Sequence, residues 1–107
     1  MNVNSKEALE VLINNNQMVL VYFGSNTCNV CNAIESKVQE LLKNYPKIKS
    51  SKIDVEKYLE ISAAYNVFTI PVILVFIEGK EMLREARYIS IQDVKNKLER
   101  YYNVLFE

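Results

Sequence analysis

Two runs of apolar residues, Met18-Val19-Leu20-Val21-Tyr22-Phe23 and Pro71-Val72-Ile73-Leu74-Val75-Phe76-Ile77, limit what this chain can become more than any other feature. Neither alternates with polar residues, so a strand built from either has no face to offer water and needs cover on both sides. Both are far shorter than the roughly 20 apolar residues of a membrane span. The segments around them carry a helical period instead. Ala8, Leu9, Leu12 and Ile13, behind an Asn4/Glu7 capping box, predict a helix over Ser5 to Asn14. Cys31, Ile34, Val38, Leu41, Leu42 and Tyr45 predict a second, stopped by Pro46. A shorter, more polar strand within Ile48 to Val55 and a helix over Lys57 to Tyr65 follow. Glu78-Gly79-Lys80 turns the second apolar run into an antiparallel partner around Met82 to Tyr88. Ser90 and Asp93 then open a closing helix with Val94, Leu98, Tyr101, Tyr102 and Leu105 on one face. The aromatic residues Tyr101, Tyr102 and Phe106 are read as packing against the core, not as a partner-binding patch.

The order α-β-α-β-α-β-β-α predicts an α/β fold, its sheet largely parallel, flanked by helices on both faces and finished by an antiparallel edge. At 107 residues and 50% hydrophobic, the chain is expected to form one domain over 1–107. Thirteen basic and thirteen acidic residues cancel, leaving no global field to attract nucleic acid or an anionic membrane, and neither is expected as a partner. Met1 to Gln17 lacks the uninterrupted apolar stretch of a signal peptide, so a cytoplasmic location is expected. Thiols there are mostly kept reduced, and a pair of cysteines points to chemistry before scaffolding.

The only two cysteines, Cys28 and Cys31, lie where the first strand gives way to a helix. Three residues apart at a helix start, they share one face, and their sulfurs can meet. The helix amino end favours an anion, which lowers the pKa of a thiol placed there. Cys28 is therefore the expected nucleophile, attacking a substrate disulfide, and Cys31 the expected resolver. Three plainer readings stand beside this one. A structural disulfide would close so short a loop that it removes little entropy from the unfolded chain. A four-ligand metal site would have to be shared between two chains, because there is no histidine. Both cysteines could be small buried hydrophobes, which suits Cys31 better than Cys28.

Three matches in order, Val19 to Phe23 leading into Cys28-Asn29-Val30-Cys31, Lys52-Ile53-Asp54-Val55 followed by Tyr65-Asn66-Val67, and Ile70-Pro71 leading into Val72 to Phe76, give the chain a resemblance to the thioredoxin family. The resemblance spans about Met18 to Glu99 and implies a thioredoxin fold with thiol–disulfide oxidoreductase activity on protein substrates. It implies that Pro71 is a cis-proline beside the redox pair and that the backbone of Ile70 docks an extended substrate segment. Thr27 stands where the family usually carries tryptophan, and it joins Ile70 and Pro71 as a substrate-binding candidate. Asn29-Val30 replaces the usual Gly-Pro. Tyr22 replaces a buried acid thought to deprotonate the resolving cysteine, leaving that task to water or Glu35. The glycine that usually opens the groove after the last strand falls near Arg87 or Tyr88. We expect a monomer that needs no bound cofactor, acts on disulfide-containing proteins and is recharged by a thiol or reductase donor. The rival reading is a thioredoxin-fold binding module with little redox turnover.

Overall fold

The computed structural model describes residues 3–106. The helices are α1 (Lys6–Asn14), α2 (Asn29–Leu42), α3 (Leu59–Ala64) and α4 (Ile91–Phe106), and the strands are β1 (Met18–Gly24), β2 (Lys49–Asp54), β3 (Val72–Ile77) and β4 (Lys80–Ala86). The strands form one mixed sheet in the order β2-β1-β3-β4, with β1 parallel to β2 and every other pair antiparallel. The two apolar runs thus occupy the two central positions, where every residue of β1 is buried.

The sheet is mixed and flanked by helices as expected, but one detail is corrected: it has a single parallel pair and is not largely parallel. The reason is length. A parallel β3 would need a connection that recrosses the sheet, as the 14-residue α2 does between β1 and β2. The six residues of α3 span only about 9 Å, against about 20 Å for a six-residue strand. The chain therefore re-enters the sheet at the end it left, and Val72 pairs with Phe23 near the exit of β1.

Alternation across β1 and β3 divides the core. Val19, Val21 and Phe23 join Leu74 and Phe76 under α1 and α3, packed with Leu9, Leu12 and Ile61. Met18, Leu20 and Tyr22 join Ile73 and Val75 under α2 and α4, packed with Val38, Leu41, Val94 and Leu98. Smaller corrections concern ends. The cap of α1 is Ser5 and not Asn4, its hydroxyl accepting the Ala8 N–H at 3.0 Å. Glu78 and Gly79 form the two-residue turn with φ of 53° and 82°, so β4 begins at Lys80 and accommodates an irregularity opposite Val75 and Phe76. Ser90 accepts the Asp93 N–H at 3.2 Å. At the far end of α4, Tyr102 meets Tyr45 edge-on at 5.1 Å and its hydroxyl accepts the Lys47 N–H. Those aromatics fasten the helix to the core. Among the described residues no helix is long and apolar enough to cross a membrane.

Candidate functional site

β1 leaves the sheet at Gly24, and Ser25, Asn26 and Thr27 carry the chain into α2, whose N-cap is Cys28. The turn closes through the Cys28 N–H, which donates to the Ser25 carbonyl at 3.2 Å. Cys28 and Cys31 are disulfide-bonded, their Cα atoms 5.2 Å apart. Their exposures differ sharply: Cys28 is half-buried, whereas Cys31 retains 1% of its accessible surface. The sulfur of Cys28 also accepts the backbone N–H of Cys31 at 3.1 Å, acting as the helix cap in place of an oxygen. A thiolate at that atom would keep this hydrogen bond and gain from the helix dipole.

Behind Cys31 the packing is tight. A methyl group on Gly24 would stand 3.0 Å from Cε2 of Tyr22 and 3.3 Å from Cβ of Cys31, so either neighbour would have to give by a few tenths of an ångström to admit it. Tyr22 is buried in the α2/α4 layer, and its hydroxyl donates to the Cys31 carbonyl at 2.6 Å. Burial, and then the negative charge of Glu35, push its phenol well above the ordinary tyrosine value. Tyr22 is thus a proton holder and a hydrogen-bond donor at any neutral pH. Glu35 itself is paired with Lys52 at 2.9 Å, and Lys52 stands opposite Tyr22 in the β1–β2 register.

Pro71 precedes β3 at the same end of the sheet, and the Ile70–Pro71 peptide bond is cis. Pro71 is buried and its carbonyl accepts the Arg87 N–H at 2.9 Å, while Ile70 is half-exposed. Arg87 has φ 63°, a left-handed conformation unusual for a residue with a side chain. Leu59, Ala63, Val67, Phe68 and Ile70 line an apolar hollow of about 390 Å³ beside this loop. Phe68 is 79% exposed at its rim, and Val30, between the cysteines, is 60% exposed. Thr27 is exposed, and its hydroxyl contacts Ser25 at 2.9 Å and Glu56 at 3.3 Å. Among the described residues no three Cys, Asp or Glu side chains gather as a metal-binding group.

Sequence reasoning placed Cys28, Cys31, Thr27, Ile70 and Pro71 around one end of the sheet, and missed three contributors. Nothing in the residues around Gly24 signals that Tyr22 and Cys31 crowd its α-carbon. The Ser25–Thr27–Glu56 contact joins residues 31 apart and left no periodic signal. Arg87 falls where the resemblance puts a glycine, but its left-handed backbone is hidden because its residue type does not advertise that conformation.

The Thioredoxin family model matches residues 1–101 of the chain. A thioredoxin-like protein of Bacillus subtilis, YdfQ, is 32% identical over 95% of this chain and 91% of its own length. The oxidised thioredoxin of Plasmodium falciparum superimposes with a TM-score of 0.83 at 25% identity, covering 94% of this chain and 96% of its own. A thioredoxin of Trypanosoma brucei brucei shares the fold with a TM-score of 0.88 at 19% identity, over 96% of this chain and 90% of its own. With its cysteines at the N-terminus of α2 and its sheet in this order, the chain belongs to the thioredoxin family.

Proposed function

We propose that this protein is a thiol–disulfide oxidoreductase that reduces or exchanges disulfides in protein substrates, with Cys28 attacking and Cys31 resolving. The observation that carries the reading is the asymmetry of the pair: an accessible sulfur that caps a helix and accepts an N–H, beside a buried one. In the reduced protein the Cys28 thiolate attacks one sulfur of a substrate disulfide. A bond forms between Cys28 and that sulfur, and the other substrate sulfur leaves as a thiolate. Cys31, as a thiolate, then attacks the Cys28 sulfur, closes the disulfide seen here and expels the second substrate sulfur. Two electrons pass to the substrate and two protons follow them. Tyr22 keeps its own proton, so the proton of Cys31 goes to water or to Glu35.

The substrate segment lies extended along Ile70 and Pro71, with its apolar side chains against Ile70, Val30 and the hollow behind Phe68. Thr27 borders the same surface. The activity takes place in the cytoplasm, where a thiol or a reductase returns electrons to the pair, and the chain works as one domain and as a monomer.

Reduced Cys31→Ser protein, freed of reductant and added to a lysate whose disulfides are left intact, tests this directly. The reading predicts disulfide-linked adducts on Cys28 that survive denaturation and vanish with dithiothreitol, and none with Cys28→Ser. Equal recovery of non-covalent partners by both variants, without adducts, would instead identify a binding module.

A further inference from the structure

The loop between β1 and Cys28 is held by a chain of hydrogen bonds that ends on a carboxylate. Ser25 retains 3% of its surface, and its Oγ accepts the Thr27 N–H at 3.2 Å and contacts the Thr27 hydroxyl at 2.9 Å. With its own proton, Ser25 donates to Oε1 of Glu56. The Thr27 hydroxyl also lies 3.3 Å from that oxygen. Glu56 is fixed in turn, because its N–H donates to Oδ1 of Asp54 at 3.0 Å and the neighbouring Val55 N–H donates to the Gly24 carbonyl at 3.0 Å. A proton count leaves the carboxylate as the acceptor at the end of the chain, since each hydroxyl has one proton to give. The charge therefore sits against the residue that immediately precedes Cys28.

Two fields then act on the Cys28 sulfur with opposite sign. The N-terminus of α2 and the Cys31 N–H favour a thiolate there. The Glu56 carboxylate, exposed but held by the Thr27 hydroxyl one residue from Cys28, disfavours it. The other charges of this end are Lys52, already paired with Glu35, Asp54, Lys57, whose side chain is exposed, and Arg87, exposed beside Pro71. A dithiol whose thiolate is less stable gives up electrons more readily, so the acidic partner works towards reduction.

We propose that Glu56, clasped by Ser25 and Thr27, is a positioning and charge-setting residue that keeps the Cys28–Cys31 couple reducing. This rests on the oxidoreductase reading above, and the test separates the two. Glu56→Gln keeps an acceptor for the Ser25 proton and removes the charge, whereas Glu56→Lys reverses it. Two quantities are read on purified protein: the iodoacetamide alkylation rate of reduced Cys28 near pH 6.5, and the dithiol-to-disulfide ratio in glutathione buffers. The proposal predicts an alkylation rate about two- to fivefold above wild type for Gln and higher again for Lys, since a more populated thiolate outweighs its lower nucleophilicity. It predicts a shift of the glutathione equilibrium towards the dithiol in the same order, and a smaller difference in 1 M salt, where the Debye length falls to about 3 Å. Wild-type values in both variants, or changes only in melting temperature, would overturn it and leave the oxidoreductase reading intact. A wild-type pair that never interconverts in these buffers would overturn both.

Discussion

The two faces of the sheet are built from the same two strands, yet they differ in what they bury. Under α1 and α3, the enclosed cluster is aliphatic or phenylalanine, with the small hydroxyls of Ser51 and Ser62 buried beside it. Under α2 and α4, the enclosed set includes the hydroxyls of Tyr22 and Tyr45, and at its edge lie buried Cys31 and the Glu35–Lys52 pair. Hydrophobic burial dominates the first face, so its job is to hold β1 and β3 in place. The second face adds hydrogen bonds that place individual atoms, above all the Tyr22 hydroxyl on the Cys31 carbonyl. The redox pair is thus set toward the second side of the sheet, whereas the first side supplies the more purely apolar packing and, beside α3, the hollow lined by Ala63 and Val67. Even and odd positions of β1 are the means of that division.

The comparison can be broken most forcefully on the α1/α3 face. Leu9→Ala should cost about 2–5 kcal/mol by leaving a cavity, with the rate of disulfide reduction per folded molecule unchanged. Urea unfolding alongside an insulin-reduction assay reads both, and a lost rate in folded protein would deny the division of labour. Gly24→Ala comes next, at about 1–3 kcal/mol, because its methyl group presses on Tyr22 and Cys31. Unlike Leu9→Ala it should also alter the alkylation rate of Cys31 in the reduced protein.

Tyr22→Phe is milder, about 1 kcal/mol, since the ring stays and one hydrogen bond goes. It carries a pH signature. The folded-state pKa of Tyr22 is raised above the ordinary value near 10, so the stability it contributes is fully present below about pH 10 and is lost as pH rises through the folded value. Chemical unfolding between pH 9 and 12 should therefore show a shallower alkaline decline in Tyr22→Phe. Tyr45 and Tyr65 are raised by burial too, so the decline should persist in part. The smallest effect belongs to Arg87→Gly, which should stabilise by up to about 1 kcal/mol, because glycine adopts φ 63° without a side-chain penalty. A melting temperature at or below wild type would show that the arginine side chain holds the loop beside Pro71.

Much of this arrangement could be read from the chain. Unbroken apolar runs can only be central strands, and the period after Cys31 can only be a helix, which together put the cysteines at a strand-to-helix junction. Strand direction was less legible, because it depends on whether α3 is long enough to recross the sheet and the apolar pattern around Leu59 and Ala63 does not fix that length. Tyr22 read as core packing and is buried, but the aim of its hydroxyl is a tertiary fact. So is Glu56, whose partners lie about thirty residues earlier and whose type is ordinary for an exposed turn.

The central claim is that Cys28 and Cys31 form a working redox couple, and a titration of the purified protein in thiol–disulfide buffers, with free thiols alkylated and counted by mass, tests it most directly. The account predicts a reversible two-thiol transition with a potential nearer about −270 mV, typical of a reductant, than about −120 mV, typical of a strong oxidant. A pair that stays locked in one state across the whole range of buffers would contradict it.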